Sequence, residues 1–390
     1  MTPALQSSPA FQRLAGRYAD PLGQARAAKA AGQRVIGRVG ATVPVEFILA
    51  AGCTPVMLAA DLQRATPQAD RYVDPELPAE TRALCEAALR GDYEGLDLLI
   101  LSRPYDKLYY FLKELHRSGR APQMPPFMIH DLMHSQREAV REYNRGRLRA
   151  LLDRVSRHAV RPVDNAGLRE AIALTNRVRA LWRRLQALRH EGRLSGVEAL
   201  QIIGAGLFSH PAEHAADLHA CLEAIETGAA AHEGRRARVI AVSAEPMQHL
   251  ALHSALEHAG GLVVAEDDTW GARAAGMDIA DSPDPFDAVF DKLWHDTPST
   301  GVWPPAARHA WLLTQAARPD VDAVVLHVPP SDRLLGWDLP DLLRALRDQG
   351  TPATALFHDV QTAAGQAALV REASAFFEAV NSGAVQEMKP

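Results

Sequence analysis

Apolar and polar positions follow two periods along this chain. Near each end, short apolar, β-branched runs alternate with stretches of helical spacing, whereas the middle shows helical spacing alone. The first clear run, Arg34-Val-Ile-Gly-Arg-Val39, reads as a buried strand ending at Gly40. Pro44-Val-Glu-Phe-Ile-Leu-Ala-Ala-Gly52 follows as a short helix. Pro44 suits its first turn, Glu46 favours its positive end, and Gly52 can stop it in a left-handed conformation. A strand at Pro55-Val-Met-Leu58 comes next. Leu96-Asp-Leu-Leu-Ile-Leu-Ser102 is apolar along most of its length, as expected of a parallel strand covered on both faces. A fourth strand through Pro126-Phe-Met-Ile129 leads into His130 and Asp131.

From about Gln136 to Glu226 the spacing predicts helices with Arg-rich outer faces: Arg147 to Val155, Leu168 to Arg189, Val197 to Leu207 and Ala212 to Ile225. Gly228 to Arg236 reads as a linker. A second alternating set begins at the strand Arg238-Val-Ile-Ala-Val-Ser243, with a helix from about Pro246 to Ala259 and the strand Leu262-Val-Val-Ala265 after Gly260-Gly261. It continues with a helix from Ala306 to Ala317, a strand from Val321 to Val328, a helix from Leu339 to Gln349 and a strand from Thr354 to His358. The expected architecture is α/β in three parts: an N-terminal lobe at 1–135, a helical connector at 136–232 and a C-terminal lobe at 233–390. Sites in open α/β sheets lie at the carboxyl ends of strands, so the turn Arg103-Pro-Tyr-Asp106 is a site candidate by position.

Composition then narrows the chemistry. The 390 residues carry 42 basic and 47 acidic side chains, a balance that lacks the basic face of a general nucleic-acid binder. No apolar run approaches the roughly 18 residues needed to span a bilayer. The stretch from Met1 to Gln33 is rich in Ala, Arg and Gln and lacks a signal-peptide pattern, so a cytoplasmic location is expected. Cys53, Cys85 and Cys221 stand far apart, too few for a disulfide framework or for four cluster thiolates. Three histidine pairs have i, i+4 spacing (His130/His134, His210/His214 and His249/His253), but each lacks the glutamate of a zinc-protease motif. Neither a glycine-rich phosphate loop nor G-x-S-x-G is present. The acidic run Glu266-Asp-Asp268 is compatible with magnesium or with a solvated turn.

Several segments together resemble the 2-hydroxyacyl-CoA dehydratase family, which includes the paired B and C subunits of benzoyl-CoA reductase. They are Pro44 to Val56, Gly91 to Asp106, Ala171 to Arg179, Leu194 to Glu198, Glu257 to Asp268 and the closing stretch from Gly365 to Phe377. The resemblance implies two Rossmann-like lobes with parallel sheets joined by a helical segment. It also implies a [4Fe-4S] cluster held by cysteines at strand carboxyl ends, one of them in a Cys-Asp pair. Here that pair reads Tyr105-Asp106, a later cysteine falls near Ser331-Asp332, and the first lies near Pro78, a spacing that Cys85 does not match.

What the resemblance implies in function is a subunit of a complex that acts on an acyl-CoA thioester by one-electron radical chemistry, working beside a paralogous cluster-bearing subunit and an ATP-dependent activator. With the thiolates missing, the expectation is the cluster-lacking partner, its cofactor supplied by the paralogue. A non-redox acyl-CoA-binding or scaffold paralogue, and a catalytic subunit with unusual cluster ligands, stay open beside it. Tyr105, Asp106, Glu266 and Ser331 are the expected reactive group, and no metal is expected on this chain's own residues. Arg38, Glu46, Arg103 and Arg273 are expected to bind substrate, the arginines as contacts for CoA phosphates.

Overall fold

In the computed structural model, which describes residues 3–228, 236–243, 250–268, 270–296, 305–330, 332 and 335–384, the chain opens with helices. α1 (Pro3–Gln6), α2 (Pro9–Ala19) and α3 (Gly23–Ala30) occupy the alanine-rich stretch to which the apolar pattern assigned no element. Alanine is the strongest helix former, so these helices need no long apolar run.

The first sheet follows. β1 (Val35–Val39), α4 (Val45–Ala50), β2 (Thr54–Met57), α5 (Ala79–Leu89), β3 (Leu98–Ser102), α6 (Asp106–Arg117) and β4 (Phe127–His130) place four parallel strands in the order β2-β1-β3-β4. Every residue of β1 and β3 is buried, which is why neither strand shows an apolar/polar alternation, although β1 carries one charge, Arg38. Side chains still alternate by face. Val35 and Val39 join the core on one side of the sheet, Ile36 the core on the other. Arg38 shares the face of Ile36.

The middle of the chain is helical: α7 (Glu138–Ser156), α8 (Asn165–His190), α9 (Gly196–Leu207) and α10 (Pro211–Thr227). Asp164 caps α8 by accepting from the Gly167 amide, and Ser195 with Glu198 closes a capping box on α9. Phe11 and Leu14 of α2 are buried in the same cluster as Leu185, Ile202 and Leu218, so the N-terminal helix packs on these middle helices.

The second sheet repeats the first. β5 (Ala237–Ser243), α11 (Leu250–His258), β6 (Gly261–Glu266), α12 (Pro285–Asp296), α13 (Pro305–Ala316), β7 (Ala323–His327), α14 (Leu335–Asp348), β8 (Ala353–Leu356) and α15 (Ala363–Ser382) give the parallel order β6-β5-β7-β8. The fold is α/β with two Rossmann-like lobes, as the resemblance implied. In each lobe the strand order reverses beside the central strand. That reversal opens a crevice at the carboxyl ends of β1 and β3, and of β5 and β7. Among the described residues no helix is long and apolar enough to cross a membrane.

One element crosses between the lobes. α12 follows the second lobe's β6 yet packs on the first lobe's core, where Phe286 stacks on Phe47 with ring centroids 5.9 Å apart. The Arg149 guanidinium lies 3.5 Å over the Phe286 ring. Truncation of Phe286 therefore opens a cavity in a shared core. Phe286→Ala should cost about 3–5 kcal/mol in urea unfolding. Trp337→Ala, at a side chain 85% exposed, should stay within about 0.5 kcal/mol of the parent.

Candidate functional site: a charged cavity between the lobes

A cavity of about 170 Å³ lies where the end of β1, the face of α8 and the side of α12 meet. It gathers three of the residues expected to bind substrate: Arg38 from β1, Glu46 from the first turn of α4, and Arg273 from the turn after β6. Thr175, Arg179 and Trp182 line it from α8, and Lys292 and Asp296 line it from α12.

Most of these charges are already paired. Arg179 Nη2 lies 2.5 Å from Glu46 Oε1, and Thr175 Oγ1 donates to the same oxygen at 2.8 Å. Burial resists ionisation of Glu46, but the Arg179 charge and the hydrogen bonds from Arg179, backbone and Thr175 outweigh it and hold the carboxyl below its ordinary value. Lys292 pairs with Asp296, and Arg273 pairs with Asp267 while its guanidinium lies 4.6 Å over the Trp311 ring. Arg38 differs. It is 6% exposed, and no described residue gives its guanidinium a hydrogen bond or salt bridge. Burial lowers it to about 10, partly opposed by the charge of Glu46.

Trp182 is fixed from behind. Its indole N–H donates to Nε2 of His214 at 3.0 Å, so that nitrogen must carry a lone pair and the imidazole is neutral. Burial, with Arg17 adding to it, holds His214 at about 3.

The remaining expected residues stand elsewhere. Gly40 has φ +87°, and a Cβ there would come within 2.7 Å of Ser102 and 3.0 Å of the Tyr105 ring, so β1 and the β3 turn approach too closely for a side chain. Tyr105 Oη donates to Glu80 Oε1 at 3.1 Å. Burial, followed by the Glu80 charge and hydrogen bond, raises this phenol well above its ordinary value. Asp106 begins α6 and lies 3.5 Å from Arg103, which is about half exposed and also 3.7 Å from Asp131. None of Arg103, Tyr105 and Asp106 lines the cavity.

Glu266 stands in a different setting from the cavity residues. A reactive carboxylate needs access, but Glu266 is wholly buried, held by Arg189 and by His253 Nε2 at 2.6 Å. Burial opposes its ionisation, yet Arg189 and His253 depress it well below the ordinary carboxylate range. It joins α8 to the second sheet. Ser331 lies outside the described residues. Its neighbour Asp332 caps α14 by accepting from the Leu335 and Gly336 amides. Within the run at 266–268, Glu266 is held by Arg189 and Asp267 by Arg273, while Asp268 accepts from the Trp270 amide.

The donor set does not suit an iron–sulfur cluster. Cys53 and Cys85 are buried on opposite sides of the first sheet, and Cys221 is buried among helices. Burial pushes their thiols up to about 11, about 12 and about 12, away from the thiolate that iron requires. At the end of β3 the groups brought together are Tyr105 and Glu80, the latter two residues beyond Pro78. A neutral phenol and a carboxylate are hard donors for soft iron–sulfide. Among the described residues no three His, Cys, Asp or Glu side chains form a metal-ligating group. His130 ends a strand, His210 caps α10, His214 holds Trp182 and His253 holds Glu266, while His249 lies outside the described residues.

The profile described as 2-hydroxyglutaryl-CoA dehydratase, D-component, matches residues 41–380. The chain belongs to this family. The matched span runs from just after β1 into the last turn of α15 and so takes in β2 to β8, leaving out β1 and the N-terminal helices. No curated protein matches the chain. The family member's cavity residues on α8 and α12 (Thr175, Arg179, Trp182, Lys292 and Asp296) escaped the sequence reading. The i, i+4 spacing of Thr175 and Arg179 was the one available signal, since it sets both polar groups on one helix face.

Two outcomes follow. Glu266→Gln should cost about 3–5 kcal/mol because it strands Arg189, whereas Asp278→Asn, in an exposed pair with Arg183, should cost less than about 1 kcal/mol. Acid should also destabilise the fold. His130 and His214, held at about 4 and about 3 against an ordinary 6.5, stay neutral in the native state while the unfolded chain protonates. Stability is then full above about pH 6.5 and falls as pH drops toward 4, and urea midpoints across that window should show it. A flat profile would contradict the assignment.

Proposed function

We propose that this chain is the subunit of a 2-hydroxyacyl-CoA dehydratase-type complex that carries no cluster of its own and completes the acyl-CoA site beside a cluster-bearing paralogue. The observation that carries the reading is the Tyr105–Glu80 hydrogen bond, which occupies the strand end where the family's Cys-Asp pair is expected, within a framework that the family profile matches from just after β1 to α15. A damaged chain should show broken strands or misplaced turns. Here both sheets keep four strands and the same order.

On this reading the [4Fe-4S] group and the one-electron radical chemistry reside in the paralogue, served by an ATP-dependent activator, and this chain supplies walls and a matching face. Homologous subunits favour such pairing, because a patch that pairs in a homodimer needs few changes to pair in a pseudo-twofold heterodimer. Arg103, about half exposed and loosely paired, is the cation here best placed to reach a CoA phosphate.

Purified anaerobically and alone, the chain should be colourless and contain no stoichiometric iron or sulfide. Co-expressed with a cysteine-bearing paralogue, it should co-elute as a brown complex on anaerobic gel filtration. Iron near four per chain in the isolated protein would overturn the cluster-lacking assignment. Separate elution of two folded chains at micromolar concentration would overturn the pairing.

A further inference from the structure

The unpaired guanidinium of Arg38 asks for a ligand. An arginine offers five N–H donors and stays charged, so a buried one without partners is rare and costly. Here Nε is buried with no acceptor, and the guanidinium borders the cavity between the lobes with no ion pair to any described residue. Its neighbours cannot serve it. Glu46 is engaged by Arg179 and Thr175, and Asp296 is engaged by Lys292. The cavity wall therefore holds one positive charge in excess of its pairs.

We infer that this cavity binds a small free carboxylate anion through Arg38. Three features of the walls point to that class. Beside its paired charges the wall carries Val45, Met57, Val178 and Leu293, which offer apolar surface for a short carbon skeleton. The volume of about 170 Å³ accommodates such a skeleton. One unpaired guanidinium matches one negative charge in a planar, two-oxygen group. A phosphate dianion would bring a second charge beside the Glu46 carboxylate, with the other cations of the wall already paired. The Arg179–Glu46 pair on the same wall already displays that contact between a guanidinium and a carboxylate.

The inference does not depend on the dehydratase-subunit reading, and the test separates them. The full chain is titrated by calorimetry and thermal shift with acetate, butyrate and isovalerate. Butyramide, inorganic phosphate and butyryl-CoA are run beside them. At least one free carboxylate should bind and raise the melting temperature, while butyramide should not. Arg38→Met should weaken that binding by about tenfold or more, the usual scale for losing a charge-assisted hydrogen-bonded pair. The unliganded variant should melt no lower than the parent, because no partner is left stranded. If Arg38→Met fails to fold, the comparison of butyrate with butyramide on the parent, together with Arg38→Lys, decides. Binding of no carboxylate, equal binding of the amide, unchanged binding in both Arg38 variants, or binding of phosphate alone would each overturn the inference. Butyryl-CoA binding without free-carboxylate binding would also overturn it and leave the dehydratase-subunit reading standing.

Discussion

Two arginines on one helix set the relation between the lobes. Arg179 and Arg189 stand ten residues apart on α8, about 15 Å along its axis, and each neutralises a buried carboxylate from a different lobe: Glu46 of α4 and Glu266 of β6. A buried carboxylate left alone costs several kcal/mol, so each pair strongly disfavours any shift of its lobe along the helix. Gln186 adds a bond from the same helix to the Val264 carbonyl of β6. α8 is thus a spine fixed electrostatically at both ends, and the apolar packing of α2, α9 and α10 around its second half is built on that placement.

The cavity is a product of this spine. Because Glu46 faces α8 rather than solvent, the first turn of α4 is drawn against Thr175 and Arg179, and the space beside them opens toward Arg38 on the neighbouring strand. α12 closes the opposite side, held by the Phe47–Phe286 stack and by the exposed pairs of Arg141 with Asp291 and of Arg145 with Asp287. Charges on the wall cancel in pairs except at Arg38, which sits on the strand face shared with Ile36 and cannot turn to water without leaving the sheet.

The second crevice, at the end of β3, has a different character. Gly40 lets β1 approach Ser102 and Tyr105 closely, and Thr42 donates to Ser102 at 2.7 Å, so the strand ends are stitched together by hydroxyls. Tyr105 and Glu80 complete this polar seam. The groups gathered at this point, a phenol and a carboxylate, are hard donors.

Much of the fold was legible from local pattern. Strands buried on both faces, such as β3 and β7, announce themselves as nearly unbroken apolar runs, and the middle helices through their spacing, so two α/β halves around a helical segment follow from short-range physics alone. Arg38, Glu46 and Arg273 could be named because a charge inside or just beyond an apolar element is conspicuous. Three things needed the tertiary structure. The N-terminal helices are covered by α9 and α10; α2 has a helical apolar stripe of its own in Phe11, Leu14, Ala15 and Tyr18, but nothing local says what that stripe packs against. The docking of α12 on the first lobe depends on a contact between residues 47 and 286, a separation no local pattern encodes. Glu266 and Glu46 are both acids at element ends, and only their distant partners on α8 decide that one is sealed in a structural network while the other borders a cavity with an arginine left free.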